Sequence, residues 1–160
     1  MKRKTIQTEL FEETNTVSEV ELIYHSKVKP SDRPIIKTSK DAYNLLLKTW
    51  NKDNIELLEE FKVILLNQAA RVLGVYNMSK GGLTGTNADP RLILAAALKA
   101  IACSIIIALN HPSGDTRPSQ ADEKMTQKIK EGAAFLDIKL LDHLIVTSDT
   151  YLSFADQGLL

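Results

Sequence analysis

An apolar run at residues 105–109 empties into a polar loop, Asn110-His111-Pro112-Ser113-Gly114-Asp115, which leads through Pro118 and Ser119 to Asp122. No other stretch constrains the fold as much. The run reads as a buried strand. Pro112 and Gly114 end it and force a tight turn. Ser119 then caps a helix predicted over about 120–135, with Met125, Ile129, Ala133 and Leu136 on its inner side. Strand, loop and helix in that order make an α/β unit. Active sites of such proteins collect at the strand's carboxyl end, where His111 stands. Asp122 lies one helical turn past Ser119. A His from the strand end and an Asp from the following helix are residue types that can share a metal ion. Ser119 and Asp122, three apart, also fit a helix capping box, and that reading stays open.

The rest of the chain supplies the elements around this unit. Residues 17–28 alternate in part (Val20, Leu22, Tyr24) and suggest an edge strand, followed by a turn-rich connector at 29–34 and a short strand extension at Ile35 and Ile36. Ser39 is a good cap for a helix over 40–50 whose stripe of Ala42, Leu45, Leu46 and Trp50 faces a core. Residues 61–66 read as a central strand, 67–70 as its turn and 71–78 as the returning arm of a hairpin. The glycines at 81, 82 and 85 lack the spacing and Lys-Ser/Thr ending of a phosphate loop, so 80–87 is read as a connector. Asp89 before Pro90 marks a helix start, continued by Leu92, Ile93, Ala96, Ala97 and Ala100. Residues 138–141 and 144–146 are strand material around Asp142-His143, and 150–154 is a last strand. The alternation predicts an α/β fold with a mixed sheet between helices in three layers.

Composition narrows the function. Twenty Lys and Arg balance twenty Asp and Glu, so the net charge is zero. Strong non-specific nucleic-acid binding, which needs a basic excess, is not expected. The one cysteine, Cys103, cannot form an intrachain disulfide and reads as a core thiol. No apolar run approaches the ~20 residues of a membrane span. The basic start, Met1-Lys2-Arg3-Lys4, has no apolar stretch after it, so no signal peptide is expected and the default address is cytoplasmic.

The stretch Asn110-His111-Pro112-Ser113-Gly114-Asp115, with Pro118-Ser119 and Asp122, resembles the metal motif of the JAB/MPN metallopeptidase family in its RadC-like form: His-x-His, a spacer, then Ser-x-x-Asp. Glu59-Glu60-Phe61, Gly81-Gly82-Leu83, Asp89-Pro90-Arg91, Leu141-Asp142-His143-Leu144-Ile145 and the ending Ser153-Phe154-Ala155-Asp156-Gln157-Gly158-Leu159-Leu160 extend the resemblance. It implies a JAB/MPN domain over 17–160, of three-layer, cytidine-deaminase-like architecture, behind a polar arm at 1–16.

The resemblance also implies a zinc-dependent peptidase or isopeptidase. In such a site zinc takes three protein ligands and lowers the pKa of its water to about 7. His111 matches the second motif His and Asp122 the Asp ligand. Ser119 matches the Ser that supports the oxyanion. Glu59, two residues before the Phe that opens the strand, matches the acid/base Glu, with Glu60 as the fallback. Leu109 falls where the family has its first His and cannot ligate, so zinc is expected to be held weakly or not at all. Asp115 and His143 are the residues that would compensate; Asp142-His143 reads first as structural and second as support for a ligand.

Two functions follow from different classes. One is a hydrolase of a protein or peptide substrate with an impaired metal site. The other is a non-catalytic interaction module of the same fold, associated with DNA repair through the family's name. The family's N-terminal helix-hairpin-helix DNA-binding region is not expected here, so direct DNA binding is disfavoured. If the site is inherited, His111 and Asp122 should meet near the end of the 104–109 strand.

Overall fold

The computed structural model describes residues 23–80 and 88–160. The expected arm at 1–16, the first part of the expected edge strand and the glycines at 81, 82 and 85 lie outside them. Five strands, β1 (Glu60–Leu66), β2 (Val72–Lys80), β3 (Ser104–Asn110), β4 (Lys139–Val146) and β5 (Tyr151–Ser153), form one sheet in the order β2-β1-β3-β4-β5. Three helices, α1 (Ser39–Thr49), α2 (Pro90–Lys99) and α3 (Gln120–Phe135), cover it.

β1 pairs antiparallel with β2 and with β3, β3 runs parallel to β4, and β4 pairs antiparallel with β5. The parallel pair needs a crossover, and α3 supplies it. Every residue of β1 and β3 is buried, as expected of strands covered on both faces. Alternation splits their side chains between two cores. Phe61, Val63, Leu65, Ile105, Ile107 and Leu109 pack with Ile93 and Ala97 of α2 and Ile129 and Ala133 of α3. Ile64, Leu66, Ile106 and Ala108 pack with Ala42, Tyr43 and Leu46 of α1 and with Trp50. The result is the expected three layers. Each fully buried aliphatic side chain contributes roughly 1.5–3 kcal/mol before entropy is counted. The two helices on one face approach closely: a Cβ on Gly132 would stand 3.0 Å from Leu94 Cδ1.

Several expectations need correction. The described part of the expected edge strand, residues 23–28, has no strand conformation; Tyr24 instead donates its hydroxyl hydrogen to the Leu73 carbonyl on the outer strand β2. Thr38, not Ser39, caps α1: Asp41 N–H donates to the Thr38 hydroxyl, and the Asp41 carboxylate accepts from Thr38 N–H. The Ser39 hydroxyl is drawn away, donating to Asp156 at 2.6 Å. Cys103 is half-buried, in the turn before β3, and is not a core thiol. The strand pieces on either side of Asp142-His143 are one strand, because both residues find partners inside the fold. The caps of α2 by Asp89 and of α3 by Ser119 stand as read. No helix among the described residues is long and apolar enough to cross a membrane.

Candidate functional site

β3 and β4 end together, and the chain leaves β3 at His111. Its N–H donates to the Val146 carbonyl at 3.0 Å, which extends the ladder by one bond. The loop then reverses: Gly114 N–H donates to the His111 carbonyl, and Gly114 sits at φ +81°, a conformation costly for any side chain-bearing residue. The reversal brings the Asp115 carbonyl to His111 Nδ1 at 2.6 Å. A carbonyl only accepts, so Nδ1 carries the hydrogen and Nε2 is the nitrogen turned to the site. Nε2 stands 3.7 Å from Asp122 Oδ2, so the sequence-predicted pair does meet at the end of β3.

Asp122 is held by its own helix. Its Oδ2 accepts from Ser119 N–H at 2.7 Å and from the Ser119 hydroxyl at 2.7 Å, while Asp122 N–H donates back to Ser119 Oγ at 3.1 Å. The capping reading and the site reading are therefore one arrangement, because the cap aims the carboxylate at His111. Burial pushes the Asp122 pKa up, but His111 and the two Ser119 bonds outweigh it and hold the carboxyl at about 2. Attraction to Asp122 raises the His111 pKa, against burial, helped by the Asp115 carbonyl and the Glu59 charge. At 3.7 Å the pair is beyond hydrogen-bond range, and the attraction is that of an ion pair.

The two glutamates separate by face. Glu59 is half-buried, and its charge acts on His111. Glu60 turns to the other face of the sheet, 3.5 Å from Lys62 Nζ. Of the pair, Glu59 is the one on the His111 side. Leu109 is 4% exposed, in register between Phe61 of β1 and Ile145 of β4. It fills its position with apolar packing on the face that carries His111. Asp115 offers no compensating carboxylate. Its side chain is bound to the exposed Arg117, with Oδ2 at 2.7 Å from Nη2, which lowers its pKa to about 2.

His143 is fully buried beneath this site. Thr126 Oγ1 lies 2.6 Å from the Asp122 carbonyl and 2.6 Å from His143 Nδ1. The hydroxyl has one hydrogen; given to the carbonyl, it leaves Nδ1 as the donor and Nε2 with a bare lone pair. Nε2 is buried without a partner among the described residues. The ring stacks on Phe154, with centroids 4.6 Å apart, and burial lowers its pKa to about 4. Asp142 does not reach the site. Ser153 Oγ donates to it at 2.6 Å and Ala155 N–H at 3.0 Å, which ties β4 to the turn after β5. Burial raises its pKa.

Sequence reasoning missed Asn110. It is fully buried; its Nδ2 donates to the Ile55 carbonyl at 2.7 Å and the Leu58 carbonyl at 2.9 Å, and its Oδ1 accepts from Glu60 N–H at 2.7 Å. It straps the segment carrying Glu59 to the loop carrying His111. The available signal was an amide in an otherwise apolar strand, since a buried amide demands partners.

His111 Nε2 and Asp122 Oδ2 are two converging donors, whereas a catalytic zinc takes three protein ligands. No group of three or more His, Cys, Asp or Glu among the described residues is placed to hold a metal. The residues present do not fit a complete zinc set.

Comparison with known proteins identifies the family to which this fold belongs. The RadC-like JAB domain family matches residues 36–159. A UPF0758 protein of Flavobacterium johnsoniae is 43% identical over 125 residues, 78% of this chain and 53% of that one. UPF0758 proteins of Porphyromonas gingivalis and Nitrosococcus oceani are 48% and 44% identical over 103 and 102 residues, each alignment covering 64% of this chain and 45% and 46% of theirs. The chain thus spans about half the length of these relatives. With the sheet, the loop and the match over most of its length in agreement, the chain belongs to the RadC-like JAB domain family.

Proposed function

We propose that this chain is a JAB domain of the zinc metallopeptidase type, acting on a protein or peptide in the cytoplasm, whose metal site is impaired. The observation that supports this is Leu109, 4% exposed and packed between Phe61 and Ile145 beside a preserved His111, Ser119 and Asp122. An apolar group there removes one nitrogen donor and keeps water out. In this reading Glu59 moves the proton. Asn110 is its positioning residue, Ser119 supports the developing oxyanion, and His111 and Asp122 are the remaining metal ligands. The closed His111–Asp122 ion pair favours a second reading, a non-catalytic interaction module of the same fold. A role in DNA repair rests on the family's name alone.

Calorimetric titration with zinc at neutral pH separates the two. Weak binding by the native chain and near-stoichiometric binding by Leu109→His are expected, because positions 109 and 111 share a face. Binding by the variant should weaken as pH falls through the His range, since each ligand must arrive deprotonated. Equally tight binding by both proteins overturns the impairment. Tight binding by neither supports the interaction module. Where hydrolysis is measurable, Glu59→Gln should abolish it with the fold intact; unchanged turnover removes the role from Glu59, because Glu60 lies on the other face of the sheet.

A further inference from the structure

On the face of the sheet opposite His111, β1 and β2 carry a cluster that the site does not use. Lys62 is 3% exposed and Glu60 4% exposed, two residues apart on one face of β1. Asn77 of β2 is the direct register partner of Lys62. Lys62 Nζ donates to Asn77 Oδ1 at 2.7 Å and to the Thr49 carbonyl at 3.2 Å, and it stands 3.5 Å from Glu60 Oε2. The Trp50 ring covers the ammonium, with its centre 5.0 Å from Nζ. A buried amine and a buried carboxylate thus meet a carboxamide from an exposed residue, with the amine under an aromatic ring.

We propose that Lys62 and Asn77 join in an isopeptide bond across the β1–β2 pair, with Glu60 as the proton carrier. Glu60 takes one proton from the Lys62 ammonium, and the freed Nζ lone pair bonds to Asn77 Cγ. The Cγ–Nδ2 bond then breaks, and Nδ2 departs with a second proton from Nζ as ammonia. The third proton stays on the new amide, and Glu60 keeps the first. Nothing is oxidised or reduced and no co-reactant is needed. The exposed side of Asn77 gives the ammonia its way out. The exchange replaces a buried ion pair by a neutral amide and a neutral acid, which removes the cost of two charges held out of water. Lys62 and Asn77 are already register partners, and the bond staples the edge strand β2 to the centre of the sheet.

Intact-mass spectrometry of the folded full chain tests this, followed by proteolysis and fragment sequencing. The native chain should be lighter than its sequence mass by one ammonia, and digestion should release a branched peptide joining Lys62 to Asn77. Glu60→Gln and Asn77→Ala should each show their full sequence mass. A native chain at full sequence mass after prolonged incubation overturns the proposal, whatever the variants do. Ammonia loss confined to a linear peptide containing Asn77 also overturns it, since that is the mark of a succinimide formed by the asparagine alone.

Discussion

Two helices of this domain begin with the same device and put it to different use. α1 starts with Thr38 and Asp41, and α3 with Ser119 and Asp122. In each a hydroxyl accepts the N–H three residues on, and the carboxylate accepts the N–H of the cap residue. Asp41 is half-buried and meets no histidine among the described residues, its pKa lowered by the Lys37 and Thr38 N–H groups and the Thr38 hydroxyl. Asp122 is 9% exposed and faces His111 across 3.7 Å. The capping geometry is local in both. What turns one carboxylate toward a candidate site is the strand end and loop that the sheet places opposite it. A capping box therefore neither argues for a site nor against one.

The largest expected difference between the two helices is in acid. α3 also holds His143 through Thr126, and that imidazole, with its pKa lowered to about 4, is neutral in the fold. The unfolded chain takes up this proton first, so stability should fall as pH drops from about 6.5 toward 4, by roughly 3 kcal/mol. His111 works the other way. Its raised pKa adds stability below about 6.5, which is lost as pH rises through the folded value. Urea unfolding across this range should show the loss in the native chain and in Thr38→Ala. In His143→Phe that loss should disappear, leaving the opposing contributions of His111 and Asp142. An unchanged profile in His143→Phe would break the assignment.

Next in size is the charge itself. Asp122→Ala removes a cap and leaves His111 unpaired, and a carboxyl held at about 2 instead of 3.8 implies a loss of about 2 kcal/mol at neutral pH. Asp41→Ala should cost clearly less, because its carboxylate faces water. Equal losses in denaturant melts would mean that the ion pair adds nothing to the cap. Because the folded Asp122 pKa is depressed, its contribution should persist above about 4 and disappear as pH falls toward 2.

A finer comparison uses the His111 ring as the probe. In Asp122→Asn its pKa, followed by NMR titration, should drop toward the ordinary value, whereas Asp41→Asn should leave it in place. A His111 pKa indifferent to Asp122→Asn would show that the two side chains do not interact in solution. The smallest contrast is between the hydroxyls. Thr38→Ala and Ser119→Ala should each cost about 1 kcal/mol, as caps do. A much larger loss for Ser119→Ala would show that its hydroxyl supports the ion pair as well as the helix.

Much of the fold was legible because its signals are local. Ser119 and Phe135 bound α3 as read, since a cap and an apolar stripe lie within the helix's own sequence. The apolar run into Asn110 was visible as a strand for the same reason. Ser39 misled because Thr38 was an equally good cap one residue earlier, and only the Asp41 carboxylate reaching back to Thr38 N–H chose between them. Asp142-His143 looked like a break in a strand because their partners, Ser153, Ala155 and Thr126, lie well away in sequence.

By itself the sequence determined that a strand ends at a His and that a capped helix follows with an Asp in its first turn. Those facts need only chain connectivity, residue chemistry and the periods of helix and strand. The tertiary structure alone decided that Glu59 lies on the His111 side of the sheet and Glu60 on the other, and that Asn110 ties the two loops. It also decided that Lys62 is buried against Asn77. Each of these depends on pairing register and on which layer covers which face. Those are set by the summed packing of segments distant in the chain, and no local stretch encodes them.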